Sequence, residues 1–336
     1  MHLGHDGDLN DLEKCIHYHW QALELRPAYY PGRSLSLNNL AFAHSMRFEQ
    51  KGDLNDLEKC IQYYQQVLEM RSAHNPSRPI SLDNLAKALR VQFEQKRDIN
   101  DLEKSIQYYQ QALELRPVPD PDRSISLSNL ASALRTQFKQ VGDLNDLAES
   151  IGYYQQSLEL IPAPHPDRSI SLNNLASALT TQFEQKGDLN DLEESIQYHQ
   201  QALELRPALH PSRAESLHNL ANALGVRFDQ KGNFNDLEKS IQYCQEALAL
   251  TPAHHPDRST SLNSLAVALV TRFGEQGDLN DLEESIQYYQ QVLELGLAHH
   301  PSRLMSLINL ANALVRRFEQ KGDFDDLEEC IQYYQS

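Results

Sequence analysis

Residues 143–187 read DLNDLAESIGYYQQSLELIPAPHPDRSISLNNLASALTTQFEQKG, and this stretch decides the fold. It opens on Asp143-Leu144-Asn145-Asp146, where the Asp143 carboxylate can accept from the free amides of a first helical turn. Leu144, Leu147, Ile151, Tyr154 and Leu158 follow at spacings of three and four, one apolar stripe of an amphipathic helix. Pro162 ends that helix. The loop Ala163-Pro164-His165-Pro166-Asp167-Arg168 carries two prolines, with Pro166 placed as the first residue of the next helix. There Leu172, Leu175, Ala176, Leu179 and Phe183 form a second stripe, closed by Gly187. The reading is a pair of antiparallel helices joined by a tight turn.

Working outward, the opening tetrad returns at Asp8, Asp53, Asp98, Asp188, Asn233, Asp278 and Asp323, each one 45 residues from the next. A glycine precedes every copy but one, where Arg97 stands. A fixed period of this size marks a solenoid, whose units bury their apolar faces only against their neighbours. The prediction is an all-α chain, an α-solenoid of tandem antiparallel helix hairpins, forming a single domain over 1–336. Its parts are a half repeat at 1–32, units at 33–77, 78–122, 123–167, 168–212, 213–257 and 258–302, and a truncated last unit at 303–336.

At Asn174-Leu175-Ala176, Gly187-Asp188, Ser195-Ile196, His199, Ala202-Leu203 and Pro207, the unit resembles the tetratricopeptide repeat. Ala176 and Ser195 stand where that family brings helices close. His199 takes a position that the family fills with an aromatic ring, as Tyr64, Tyr109 and Tyr154 do here. The unit exceeds the family's usual length by eleven residues. Seven of them lie between Leu179 and Ser195 and add about one helical turn to each arm; the other four lengthen the proline loop. The His165-Pro166-Asp167-Arg168 loop and the Leu172-Asn173-Asn174-Leu175-Ala176 run are similar to the long-loop repeats of kinesin light chain. The whole unit also resembles fungal arrays associated with caspase-like (CHAT) protease domains. The resemblance implies a right-handed superhelix and a protein-binding role.

On a helical wheel the core stripe of the second helix defines one side, and Ile170, Asn174, Ser177 and Thr181 lie nearly opposite. The Asn174 register holds Asn39, Asn84, Asn129, Asn174, Asn219 and Asn309, broken only by Ser264. The resemblance implies that this face lines the concave groove and that these asparagines bond the backbone of an extended peptide. An amide side chain offers a donor and an acceptor, which suits a peptide's alternating N–H and C=O groups. The neighbouring registers vary. One reads Phe42, Lys87, Ser132, Ser177, Asn222, Val267 and Asn312, and another Met46, Val91, Thr136, Thr181, Val226, Thr271 and Arg316. Constant backbone-holding groups beside variable ones fit selective capture, so Lys87, Asn222 and Asn312 join the candidate site. Two alternatives stay open: the asparagines bond within their own helices or to a neighbouring one, or their identity records duplication.

Arg33, Arg78, Arg123, Arg168, Arg213, Arg258 and Arg303 recur in the proline loop. They are read as partners of a nearby glutamate or of the adjoining helix end, rather than as an anion-binding row. The Tyr153 register is read as packing between units, with its hydroxyls at the rim. The loop histidines His74, His165, His210, His254-His255 and His299-His300 lack the spacing of a metal site. Cys15, Cys60 and Cys330 replace the small serine of other copies, and Cys244 replaces a ring. Neither a nucleophile elbow nor a phosphate-cradling glycine loop occurs, so no enzyme activity, metal or cofactor is expected.

The balance of 30 Lys+Arg against 47 Asp+Glu gives a net charge of −17, which disfavours a nucleic-acid partner. No run approaches the length of a membrane span, and four cysteines do not make a disulfide scaffold; a cytoplasmic location is expected. Neither end of the sequence shows a polar capping helix, which suggests a longer array or end-to-end self-association. Trp20 replaces a glutamine of the other copies and is read either as a shield for the N-terminal edge or as a surface substitution. The expected role is a scaffold that binds a peptide or partner protein. The alternatives are a regulatory arm of a larger enzyme or a self-assembling solenoid.

Overall fold

The computed structural model describes residues 5–27, 30, 32–162, 165, 167–253, 255, 258–295 and 301–335, without the side chains of 5–8, 301–302 and 334–335. Among the described residues the chain is fifteen α-helices in two alternating kinds. They are α1 (His5–Glu24), α2 (Arg33–Lys51), α3 (Leu54–Met70), α4 (Arg78–Lys96), α5 (Ile99–Glu114), α6 (Arg123–Val141), α7 (Leu144–Leu160) and α8 (Arg168–Lys186). They continue as α9 (Leu189–Glu204), α10 (Arg213–Lys231), α11 (Phe234–Leu250), α12 (Arg258–Gln276), α13 (Leu279–Glu294), α14 (Pro301–Lys321) and α15 (Phe324–Gln335). Odd-numbered helices follow the Asp tetrad and are called first helices; even-numbered ones follow the proline loop and are called second helices. The chain divides into two compact units, Met1–Ala163 and Pro164–Ser336.

Each first helix after α1 begins on the predicted cap. The Asp143 carboxylate accepts from the Asn145 amide at 2.9 Å, and Asp53, Asp98, Asp188, Asn233, Asp278 and Asp323 repeat the bond at 3.0–3.1 Å. Asp8 departs from this pattern: α1 starts upstream at His5 and runs through it. The turn before each tetrad is two residues long. Gly187 sits at φ 71° and its amide bonds the Phe183 carbonyl at 2.7 Å, closing α8 in the left-handed conformation. The seven extra residues of the unit are therefore helical, because α8 runs to Lys186 and α9 starts at Leu189.

The tight turn folds each second helix against the first helix that follows it. Their closest approach is made by small residues: Ser105, Ser150 and Ser240 donate to the carbonyls of Ala86, Ala131 and Ala221 at 2.7–2.8 Å. Cys330 takes the same place, its Sγ 3.7 Å from the Ala311 carbonyl. Leu147, Ile151 and Tyr154 of α7 are buried as expected, but Leu144 stays 46 % exposed at the mouth of the turn. The second helices bury more than one stripe. In α8, Ser171, Asn173 and Ala178 are covered along with Leu172, Leu175, Leu179 and Phe183, because the helix lies between its own hairpin partner and the neighbouring copy.

Among the described second helices proline opens only α14, at Pro301. Pro166 is outside the described residues, and Pro76, Pro121 and Pro211 stand in turns two residues before their helices begin. In the other second helices the loop arginine is the first residue, and it reaches back to the carbonyl end of the preceding first helix. Arg78 bonds the Leu68 and Arg71 carbonyls at 2.8 and 2.5 Å, and Arg258 bonds that of Thr251 at 2.7 Å. These guanidinium groups satisfy orphan helix carbonyls and complement the dipole. The loop residue three positions earlier closes the turn. Asn75 and Asp120 accept an amide two residues on at 2.9 and 2.8 Å, as do His165 and His210 through Nδ1 at 3.2 and 3.1 Å. His254, His299 and His300 lie outside the described residues.

Candidate partner-binding face

Within each unit, neighbouring second helices touch: α4 meets α6, and α8, α10, α12 and α14 meet in succession. On these second helices, Asn39, Asn84 and Asn129 of the first unit and Asn174, Asn219 and Asn309 of the second are all half-buried at one register. None of the six amides makes a hydrogen bond to another described residue, so the reading in which they bond within their helices does not hold. Their sequence neighbours behave oppositely. Asn173 is buried, its Oδ1 2.9 Å from His199 Nδ1 and its Nδ2 2.8 Å from the Ser216 hydroxyl. A single helical step separates a committed amide from an open one.

The other candidates differ in their freedom. Lys87 is exposed, with its ammonium 3.7 Å from Glu49. Asn222 Nδ2 lies 3.0 Å from His218 Nε2, so that amide is engaged one turn back along its own helix. Asn312 is exposed. Thr136, Thr181 and Thr271, from the second variable register, each bond the carbonyl four residues earlier at 2.9–3.0 Å and so turn their hydroxyls away from visitors. Between α2 and α4 the face deepens into a cavity of about 240 Å³, whose lining includes Phe42, Met46, Tyr64, Asn84, Lys87 and Val91. Phe42 is 57 % exposed there and forms an apolar wall.

Two of the thiols are poor nucleophiles in this structure. Cys60 and Cys244 are buried, and burial pushes both up to about 12. Burial likewise lowers His199 to about 4, leaving it neutral between its neighbours. Among the described residues no three His, Cys, Asp or Glu side chains converge as metal ligands would, and no helix is long and apolar enough to cross a membrane.

A family model described as the tetratricopeptide repeat matches residues 34–76, 170–208, 213–257, 258–302 and 303–336, and a second of the same description matches 96–119. The chain belongs to the tetratricopeptide-repeat family. No curated protein matches it. Among solved structures it is similar to the C-terminal part of a TPR repeat-containing protein from Cytophaga hutchinsonii. The identity is 14 %, the match covers 89 % of this chain and 96 % of that one, and the TM-score is 0.51. YrrB, described as a TPR protein with an unusual peptide-binding site, is 14 % identical over 70 % of this chain and 93 % of its own, with a TM-score of 0.41. MamA is 17 % identical over 60 % of this chain and 92 % of its own, with a TM-score of 0.39. Tetratricopeptide repeats generally serve protein–protein interaction.

Behind the open face, this tetratricopeptide-repeat chain carries a polar system that the sequence did not advertise. Arg71, Arg116 and Arg206, each just past the end of a first helix, are buried. Arg206 donates to the Ser212 carbonyl at 2.7 Å, to the hydroxyls of Ser216 and Ser169 at 2.8 and 3.2 Å, and to Glu215 at 3.2 Å. Arg71 bonds the Ser77 carbonyl at 2.9 Å and the Ser81 hydroxyl. Arg116 bonds the Ser126 hydroxyl and Asp83, thirty-three residues back on α4. Burial raises Asp83, against the pull of Arg116. The signal was a serine ten residues beyond each arginine.

Proposed function

We propose that this chain holds an extended segment of a partner protein along the asparagine register of the second helices within a compact unit. The observation that carries the reading is the contrast between six half-buried, uncommitted amides at one register and the fully committed Asn173 beside them. An open amide can donate to a peptide carbonyl and accept from a peptide N–H without reading the side chain between them. Selectivity then rests on the variable neighbours. In the first compact unit the cavity beside Asn84 and Lys87 suits one apolar side chain of the guest, walled by Phe42, Met46 and Val91.

The test starts with affinity capture on the intact chain, followed by a binding isotherm for the partner recovered. Replacing Asn174, Asn219 and Asn309 of the second unit together by alanine removes roughly 1 kcal/mol per lost bond, a weakening on the order of a hundredfold. Circular dichroism checks that the helices survive. Unchanged affinity with an intact fold would remove the asparagine register from consideration.

A further inference from the structure

A buried arginine follows the first helix in three described copies, at Arg71, Arg116 and Arg206, and two other described copies place Ile161 and Thr251 there. Ile161 fills its place with a buried apolar side chain, whereas Thr251 is shorter. The backbone path is kept: Thr251 has φ −94° and ψ 116°, against −94° and 114° at Arg71 and −102° and 110° at Ile161. Arg258 still bonds the Thr251 carbonyl, as Arg78 bonds that of Arg71. The positions that receive the guanidinium elsewhere are also present. Arg116 and Arg206 bond a serine ten residues on; Arg116 reaches residue 83, thirty-three back, and Arg206 reaches residue 169, thirty-seven back. Counted from 251, these are Ser261 (251 + 10), His218 (251 − 33) and Ala214 (251 − 37).

All three line one cavity of about 660 Å³, together with Thr251, Glu215 and Pro252. The threonine does not fill it, because its hydroxyl is turned onto the Ala247 carbonyl at 2.7 Å. What remains is a cavity with room for an arginine side chain. Ser261 supplies a hydroxyl acceptor, Glu215 a carboxylate 60 % exposed at the edge that already meets Arg206 at 3.2 Å through one oxygen, and His218 the face of a ring whose Nε2 is held by Asn222. A guanidinium suits this set better than an ammonium does, since it is planar, stacks on rings and donates in a fork. The net charge of −17 favours a cation over an anion.

We infer that this cavity is a second binding site, which takes the guanidinium of an arginine side chain presented by a partner peptide, in the place its own chain fills at Arg71, Arg116 and Arg206. The site lies at the loop end of α10, α11 and α12 and does not depend on the asparagine register.

The experiment titrates acetyl-Gly-Arg-Gly-amide into the full chain labelled at threonine methyl groups, with the lysine and citrulline counterparts alongside. The arginine probe is expected to shift the Thr251 and Thr260 signals and to leave Thr136 and Thr181 unmoved. Saturation is expected at millimolar concentration, with at least fivefold weaker binding of the other two probes. In Thr251→Arg the cavity is filled from within, so the response should vanish and the melting temperature should rise. Ser261→Ala, which keeps the threonine, should weaken the probe at least threefold. No shift in the wild-type chain, equal shifts with lysine, or a response that survives either substitution would overturn the assignment.

Discussion

The turn from Gln92 to Asp101 and the turn from Arg272 to Asp281 follow the same path with different parts. In both, the residue before the tetrad bonds a phenylalanine carbonyl at 2.7 Å, Arg97 to Phe93 and Gly277 to Phe273. In both, the aspartate cap holds an amide at 3.1 or 3.0 Å. The left-handed position is an arginine at φ 59° in the first and a glycine at φ 71° in the second. The buried last aspartate of the tetrad is gripped from nine residues upstream, by the Gln92 amide at 2.9 Å in one case. In the other, Arg272 grips it with two bonds at 2.6 and 2.8 Å and also reaches Glu238 of the copy before. Backbone strain at Arg97 and a neutral clamp at Gln92 thus coexist with an unchanged turn. The hairpin's packing fixes the path, and the individual residues set how strongly it is held.

That comparison is most directly broken at the clamp. Arg272→Ala leaves Asp281 buried without its cation and should cost about 3 kcal/mol, read from urea unfolding and from faster amide exchange at the start of α13. Arg272→Gln copies the Gln92 turn and should cost only about 1 kcal/mol. Equal losses would mean that the glutamine clamps contribute nothing.

The left-handed residue comes next. Arg97→Gly should stabilise the chain and Gly277→Arg should destabilise it, each by about 1 kcal/mol, the cost of a side chain in that conformation. A side chain at Gly277 meets no atom within 4 Å, so the second effect isolates backbone strain. The stacking of Arg97 over the Phe93 ring at 5.9 Å should leave the first effect the smaller of the two. Melting temperatures of the two variants decide it.

The smallest effect is the pH response. Burial acts to raise Asp56, but hydrogen bonds from Arg47 and His44 hold it below the usual carboxylate range. Burial raises Asp146, with the charges of Asp143 and Glu149 adding to the rise. The signs are opposite. The stability that Asp56 contributes is present above its unfolded pKa and is lost as the pH falls through its lowered value. Asp146 favours the fold when protonated, so its contribution grows as the pH falls through its raised value. A carboxyl NMR titration should find Asp146 taking its proton before Asp56. Gln137→Arg should reverse that shift by supplying the cation that Arg47 gives Asp56.

Much of the fold was legible because its signals are short-range. A cap needs an aspartate and an amide two residues on, and the period-four stripes need only neighbouring turns. The loop arginines were also readable as helix-end partners, since the carbonyls they reach lie seven and ten residues back. The wheel placed Asn174 on the open face from periodicity alone. It could not show that Asn173, one residue away, would be buried, because its Ser216 partner sits 43 residues on and meets it only when copies stack. Asn222 looked as free as its neighbours until His218, one turn back, proved to hold it.

The sequence by itself determined the helices, their order and their turns, because caps, stripes and the 45-residue spacing are properties of the chain taken a few residues at a time. Tertiary structure decided which polar groups are spent and which are left over. Arg116 finds Asp83 and Arg206 finds Ser169 only where helices more than thirty residues apart in sequence pack together. The cavity beside Thr251 likewise exists only where α10, α11 and α12 meet. Burial is a property of what the rest of the chain brings alongside, and no local run of residues records it.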